Sequence, residues 1–444
     1  MNNNLVNLVE GEKSREIIRR SREFMDILTQ DVDVLPMVAD RGEGVYVWDV
    51  DGKKYIDFSS GFAVVSLGHS NPKVIEAIEK QARKLVHFPL ADFYHELGAS
   101  VAEKLSKSCP GGGNKKVVFT NSGAEANEVA IKLARSSTKR GRILAFYGGF
   151  HGRTMGSLSL TASKSVQQLG FFPTMPGVIH APFPNPFRNV WNIDGYEDPE
   201  ELINRAISFI EDVIFKAYPP EEFAAVFIEP IQGEGGYVVP PRGFFHELFK
   251  IARKYGILIM DDEVQMGIGR TGKMWAIENY SVYPDSIQFG KAIANGIPLG
   301  GVIHRGDFGF VTLGQHSSTF GGNLIALSVA EVVLEETPKL LPNVERVGMH
   351  LGRRLSELME EFEIIGDSRG IGLARAIEIV KPGKGKTPDP KKRDELLREC
   401  FKRGLLLIGC GESSVRIIPP LNVEIATVDR AVDILMEALN TVTE

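Results

Sequence analysis

Apolar and polar residues follow two different periods along the chain. From about residue 96, short apolar runs rich in β-branched residues recur, and stretches with helical apolar spacing separate them. These periods predict strands that alternate with helices. The predicted strands are Lys116–Thr120, Arg142–Phe146, Ala224–Ile228, Ile257–Met260 and Ser286–Phe289. Such an order indicates an α/β fold with a largely parallel sheet and helices on both faces.

The two ends of the chain have a different pattern. Residues 13–35 look helical, and the alternating segment 44–58 around Asp51-Gly52 predicts a β-hairpin. After about residue 340, further helices are predicted, the last with Thr427 as its N-cap. Their ranges are Glu345–Phe362, Asp394–Arg403 and Thr427–Val442. We therefore expect a large domain accompanied by a smaller one.

Composition and charge narrow the class of protein. With 444 residues, 43% of them hydrophobic, the chain suits a large globular domain with a smaller companion. The net charge of −6 gives no electrostatic case for nucleic acid or an anionic membrane as partner. The three cysteines lack paired spacing, and residues 1–10 do not resemble a signal peptide. A cytoplasmic protein without disulfides or structural zinc is the expectation.

Two glycine-containing turns follow predicted strands. Thr120–Asn127 leads into a helix whose free N–H groups and dipole suit a phosphate. Gly148–Thr154 has glycines on both sides of Phe150 and His151, which would let an aromatic ring lie against a flat ligand. An ordinary helix capped by Ser122, and core packing of Phe150, would also explain these turns.

Acidic residues stand at the ends of two other strands. One Gly-rich loop carries Glu229 and Glu234, which on their own would be solvated acids. The residues Asp261, Asp262 and Glu263 follow an apolar strand, where burial is costly unless a cation needs them. Simple exposure is the alternative. Histidines at ligand spacing are lacking, so no metal site is predicted, and a carboxylate against a protonated heterocyclic nitrogen remains.

A lysine completes the set of candidates. Lys291 lies just past the strand Ser286–Phe289, where ammonium groups are unusual. Desolvation would lower its pKa and make it a nucleophile for carbonyls. An exposed lysine in a turn is the alternative.

Together, these features are what pyridoxal phosphate requires: a phosphate cradle, an aromatic platform, a carboxylate for the ring nitrogen and a Schiff-base lysine. Their order and context resemble the class III (omega) aminotransferases of the fold-type I pyridoxal-phosphate enzymes, which include 4-aminobutyrate and ornithine aminotransferases. The resemblance extends from about Gly44 to Leu421. It implies a large domain, 65–340, with a mostly parallel seven-stranded sheet, and a small α+β domain formed by 1–64 and 341–444.

The resemblance assigns roles around the cofactor ring. Phe150 would stack on the pyridine ring, and Val264 would pack on its opposite face. Asp262 would pair with the ring nitrogen and keep it protonated, and Gln265 would reach the ring hydroxyl. Lys291 would carry the cofactor as a Schiff base and act as general base and acid.

The same resemblance assigns the phosphate site and the assembly. Ser122, Gly123 and Ala124 would bind the phosphate. Ala124 replaces a threonine common in the family, but the contact is largely through the backbone. Thr319 would cap the phosphate of the other subunit, which implies a homodimer or higher homo-oligomer with shared sites.

Substrate recognition is implied by four further residues. Arg416 aligns with the arginine that takes the substrate α-carboxylate in a bidentate grip. Glu234 would pair with Arg416 when the distal amine of a substrate reacts. For the distal end, Arg153 would hold a second carboxylate, or Asp92 a distal ammonium. Met266 stands where many members have a smaller or hydroxylated residue, which leaves the substrate open.

The resulting hypothesis is an aminotransferase that moves an amino group from an amino acid to a 2-oxo acid such as 2-oxoglutarate. The donor would be 4-aminobutyrate, ornithine or a similar omega-amino compound. An amino-acid racemase or epimerase on the same scaffold is the alternative, with Glu234 as its second base. A catalytically silent cofactor-binding regulator is disfavoured by the intact Lys291 and Asp262. A nicotinamide oxidoreductase is disfavoured because no strand leads into a GxGxxG turn.

Overall fold

The computed structural model describes residues 11–26 and 35–444. Its strands are β1 Ala39–Glu43, β2 Tyr46–Asp49, β3 Lys54–Asp57, β4 Lys115–Thr120, β5 Arg142–Phe146, β6 Val178–Ala181, β7 Phe223–Ile228, β8 Leu258–Asp262, β9 Ser286–Phe289, β10 Gly300–Arg305, β11 Ile365–Ile371, β12 Ala374–Ile379, β13 Leu405–Leu406, β14 Ile408–Cys410 and β15 Ser414–Ile417. Its helices are α1 Glu12–Phe24, α2 Ser60–Ala63 (one left-handed turn), α3 Pro72–Lys84, α4 Glu96–Ser108, α5 Gly123–Thr138, α6 Met155–Leu160, α7 Pro199–Ser208, α8 Phe215–Ala217, α9 Phe244–Tyr255, α10 Leu324–Glu361, α11 Pro390–Lys402 and α12 Ile425–Thr443. Within these residues, no helix is both long and apolar enough to cross a bilayer.

The large domain is built on a seven-stranded sheet in the order β4-β10-β9-β8-β7-β5-β6. Only β10 is antiparallel to its neighbours; the other pairings are parallel. Strand β7 shows why the sheet is apolar throughout. Val226 and Ile228 enter the core on one face, and Ala225 and Phe227 enter the core on the other. The predicted α/β fold with a mostly parallel sheet is confirmed, and the five predicted strands differ from the observed ones by at most two residues at an end.

The smaller sheets combine both ends of the described chain. One sheet has the order β1-β2-β3-β13, in which β13 pairs in parallel with β3; the other has the order β11-β12-β15-β14. The predicted hairpin is present as β2 and β3. A second apolar core joins Ile56 and Phe58 to Leu351, Leu396 and Leu435. The exact domain limits stay a prediction.

The helices predicted in the terminal segments differ from the structure in their limits. The segment predicted as Asp394–Arg403 is α11, which begins four residues earlier, at Pro390. The segment predicted as Glu345–Phe362 is the second half of α10, which begins at Leu324 and contains Pro338 and Pro342. Thr427 as an N-cap is wrong, because α12 begins two residues earlier, where Ile425 packs against the small-domain core. Residues 27–34 of the predicted N-terminal helix lie outside the described residues. Helix α1 covers the beginning of the prediction and ends at Phe24, so that Met25, Asp26 and Leu35 are not helical.

Candidate active site

One cavity of about 440 Å³ lies at the carboxyl ends of the parallel strands. Ligands of open α/β sheets bind at this edge, and the volume suits a small cofactor with its substrate. Each of the strands β4, β5, β7, β8 and β9 is followed by a loop that contributes to the lining. The predicted residues found there are Ser122, Gly123, Ala124, Phe150, Arg153, Glu234, Asp262, Val264, Gln265 and Lys291.

Asp262 is a buried carboxylate with three donors. Its Oδ2 accepts from His151 Nδ1 and from Asn127 Nδ2, both at 2.7 Å, and its Oδ1 accepts from the backbone N–H of Val264 at 3.1 Å. Burial opposes a charge on His151, but the hydrogen bond to Asp262 and the charges of Asp262 and Glu229 outweigh it and raise the pKa of His151. A protonated imidazole beside the carboxylate is thereby favoured. These three donors fix the Asp262 side chain in place at the wall of the cavity.

The two acids beside Asp262 have a different character. Asp261 and Glu263 are buried, which excludes the alternative of simple exposure. Burial, with the nearby carboxyl of Glu263, raises the pKa of Asp261 well above its ordinary range. Burial raises the pKa of Glu263 to about 8, although backbone N–H donors lower it. Glu263 is therefore mostly neutral at pH 7, and of the three acids only Asp262 lines the cavity.

Lys291 begins a short 3₁₀ turn directly after β9, at a backbone φ of 47° that is unusual for a non-glycine residue. Burial, and next the cation of Arg416, lower the pKa of Lys291 to about 8, against the opposing charges of Asp262, Glu229 and Glu234. About a tenth of this amine is then neutral at pH 7. A neutral amine at this position can act as a nucleophile or a base.

Glu234 lies between two cations. Its Oε2 accepts from Arg416 Nη2 at 2.8 Å, and its Oε1 accepts from Lys164 Nζ at 2.7 Å. Burial raises the pKa of Glu234, but the charges of Arg416 and Lys164 outweigh this, and the pKa falls below its usual value. Arg416 also donates to the carbonyl of Gly409, while its Nη1 is buried without a hydrogen-bond partner in the described parts of the chain.

Glu229 joins two of the loops around the cavity. One of its oxygens accepts from Phe150 N–H and the other from Gly233 N–H, both at 2.8 Å. Burial raises the pKa of Glu229 to about 7. The side chain therefore positions Phe150 and the Gly-rich loop of Glu234 instead of being a solvated acid.

The lining fits pyridoxal phosphate. Helix α5 directs its N-terminus at the cavity, with Ser122 as its N-cap, and a Cβ on Gly123 would come within 2.5 Å of Val264 Cγ1. Packing against Val264 therefore excludes a side chain at Gly123, and the free N–H groups at this helix N-terminus suit a phosphate. Gln265 Oε1 is buried and, among the described residues, has no donor, so it is available to a ring hydroxyl. Asp262 is available to a protonated ring nitrogen.

Three predicted residues do not line the cavity. Arg416 is buried behind Glu234, which does line it, and contacts that carboxylate through the ion pair. Asp92 and Thr319 are both exposed and do not line the cavity in the single chain. The structure adds Asn127 and Lys164, which the sequence analysis missed. Asn127 could have been noticed as a polar residue on the apolar face of α5, but nothing in the sequence links Lys164 to Glu234, 70 residues away.

Comparisons with known proteins identify the family of this chain. Residues 27–439 match the family described as aminotransferase class-III. The chain is 42% identical to the alanine/serine racemase of Pyrococcus horikoshii, over 97% of this chain and 91% of the relative. It is 36% identical to the 4-aminobutyrate aminotransferase of Escherichia coli, over 91% of this chain and 94% of the relative. A solved amine transaminase from an uncultivated Pseudomonas species, in its PLP-bound form, has a TM-score of 0.85 and 28% identity and covers 91% of this chain and 95% of that one. The chain therefore belongs to the class III aminotransferases, a family of enzymes that depend on pyridoxal 5′-phosphate.

Proposed function

We propose that this protein moves an amino group from an amino acid, such as 4-aminobutyrate, ornithine or a similar omega-amino donor, to a 2-oxo acid such as 2-oxoglutarate. The observation that carries the proposal is the ion pair between Glu234 and Arg416 at 2.8 Å. A substrate with an α-carboxylate beside its reacting carbon takes Arg416 and displaces Glu234. A donor without that carboxylate leaves the pair closed. One site thus serves both halves of the reaction.

Arg416 is prepared for such an exchange. Its side chain is 2% exposed, and its Nη1 has no partner within residues 11–26 and 35–444. A buried donor without a partner is costly, and a planar substrate carboxylate would satisfy Nη1 and Nη2 together.

Proton transfer is the role proposed for Lys291. Its Nζ removes the proton from the substrate carbon that bears the reacting amine, for which its lowered pKa is suitable. Pyridoxal phosphate, when bound, supplies an electron sink for the charge left on that carbon. Asp262, oriented by His151 and Asn127, keeps a positive charge at the ring nitrogen favourable. The phosphate would be held by Ser122, Gly123 and Ala124.

The distal end of the substrate and the assembly belong to the same proposal. Arg153 lines the cavity, with its guanidinium carbon 5.7 Å from the centre of the Phe150 ring. This position favours a distal carboxylate, as in 4-aminobutyrate or glutamate, over recognition of an ammonium by the exposed Asp92. Thr319 is exposed in the single chain and would reach the phosphate of a second subunit in a homodimer.

The second candidate is an amino-acid racemase, favoured by the relative at 42% identity that bears that name. Racemisation requires a proton donor on the side opposite Lys291, and Glu234 is the acid proposed for that role. Both of its oxygens are engaged by cations, and its pKa is lowered. Such a carboxylate is a poor proton donor, which favours transamination.

One pair of assays tests the choice. Purified enzyme is incubated with 2-oxoglutarate and a panel of amino donors, and the glutamate formed is quantified. In parallel, single enantiomers of alanine and serine are incubated without any oxo acid and examined by chiral chromatography. We expect glutamate in the first assay. Formation of the opposite enantiomer in the second, with no glutamate in the first, would replace our proposal with the racemase.

A further inference from the structure

Glu234 has a second cationic partner that the exchange at Arg416 does not by itself require. We propose that Lys164 is a positioning residue that retains the Glu234 carboxylate whenever a substrate carboxylate takes its place on Arg416. The inference rests on the proposed function and adds a residue that sets the preference between the two kinds of substrate.

The two cations contact different oxygens of one carboxylate. Lys164 Nζ is 2.7 Å from Oε1, and Arg416 Nη2 is 2.8 Å from Oε2. The side chain of Arg416 is 2% exposed, that of Glu234 18% and that of Lys164 32%. The carboxylate therefore lies between an interior cation and one nearer to solvent. It can leave Arg416 in one direction without losing Lys164.

The backbone of this loop is fixed, so that only the side chain has to move. The carbonyl of Glu234 accepts from Gly411 N–H at 2.8 Å. The carbonyl of Gly236 accepts from Arg369 Nε at 3.0 Å and Nη2 at 2.6 Å. Arg369 is itself held by buried ion pairs with Asp367 and Glu378. Residues of the small domain thus anchor the loop at Glu234 and at Gly236, two residues further on.

The physical role of Lys164 follows from the cost of an unpaired charge. If Arg416 were the only partner, substrate binding would leave a largely buried carboxylate without a counter-ion, which is strongly unfavourable. With Lys164 already in contact, the displaced Glu234 remains paired. Lys164 therefore assists substrates that present an α-carboxylate to Arg416. It has little effect on donors that leave the Glu234–Arg416 pair closed.

The test compares Lys164→Gln and Lys164→Arg with the wild-type holoenzyme. For Lys164→Gln, we expect the KM for 2-oxoglutarate to rise roughly 10–100-fold, while the KM for a donor without an α-carboxylate changes less than about threefold. Lys164→Arg, which keeps the cation, should restore most of the loss. Lys104→Gln is the matched control, because Lys104 is 34% exposed and pairs with Glu331 and Glu335 on a distant surface.

A binding measurement makes the test independent of turnover. Glutarate, which has two carboxylates and no oxo group, is titrated into each holoenzyme by calorimetry, and Arg416→Met identifies the binding that depends on Arg416. A 10–100-fold weaker affinity in Lys164→Gln supports the inference. An unchanged affinity, or an equal rise in KM for both kinds of substrate, overturns it. If the wild-type enzyme binds glutarate but transfers no amino group, the proposed function fails while the role of Lys164 is still decided.

Discussion

The lowered pKa of Lys291 predicts how fast the cofactor-free enzyme captures pyridoxal phosphate as the pH changes. An ordinary lysine with a pKa of 10.5 is about 0.03% neutral at pH 7, whereas a pKa of about 8 makes about 10% neutral. At pH 7, the neutral amine of Lys291 should then capture pyridoxal phosphate roughly 300-fold faster than an ordinary lysine would. Because the side chain is partly exposed to the cavity, this factor is an upper limit.

The assay follows the yellow absorbance after rapid mixing of cofactor-free enzyme with pyridoxal phosphate. A range from pH 7 to 10.5 is suitable, because the phosphate group is then almost fully ionised. We expect the rate to rise up to about pH 8 and then level off. In Arg416→Met, the removal of a cation that lowers the pKa of Lys291 should move the inflection to higher pH.

The outcome that refutes this reasoning is simple to recognise. A wild-type rate that keeps rising tenfold for each pH unit up to pH 10 would mean that Lys291 titrates as an ordinary lysine. The burial of this residue would then have no influence on its reactivity.

Three further predictions concern single substitutions. Lys291→Ala should lower kcat by at least roughly 10²–10⁴-fold, because the substitution removes the proposed proton carrier. The rate of glutamate formation measures this loss, and circular dichroism checks that the variant is folded. Gly123→Ala should weaken cofactor binding roughly tenfold or more, because the new Cβ would lie 2.5 Å from Val264 Cγ1. A fluorescence titration with pyridoxal phosphate measures the affinity. Gly141→Ala is the control, because a Cβ at that position meets nothing within 4 Å. Glu263 keeps a proton in the folded state that the unfolded chain releases from about pH 4.5, so the free energy of unfolding should fall as the pH rises to about 8. Urea denaturation at pH 5 and pH 9 measures this fall in the free energy of unfolding. The fall should be a few kcal/mol smaller in Glu263→Gln than in the wild type. An identical pH dependence in the two proteins would contradict the prediction.

The local pattern of apolar and polar residues was sufficient to predict much of the fold. Buried parallel strands such as β7 are continuous apolar runs, and their spacing by helices is visible in one dimension. Candidate residues could be proposed where charged groups follow such strands, as with Asp262 and Lys291. The energetic cost of burying charge makes these positions conspicuous.

Contacts between distant segments and some helix ends could not be predicted. The interaction of Lys164 with Glu234 depends on how two loops meet in space, and no periodicity records it. Pro338 and Pro342 favour a break, yet α10 continues through both because tertiary packing on both cores outweighs local preference. The true start of α12 was missed for a related reason: Thr427 suits a cap, but packing at Ile425 extends the helix.

Helix α10 has a consequence for the way this enzyme holds together. Its 38 residues extend for about 57 Å and contribute Leu327 and Val333 to one core and Val347 and Leu355 to the other. A chain divided at residue 340 would therefore be cut in mid-helix, and the second fragment would lose Ile56 and Phe58 from its core. The two domains should accordingly unfold in a single cooperative transition instead of unfolding independently.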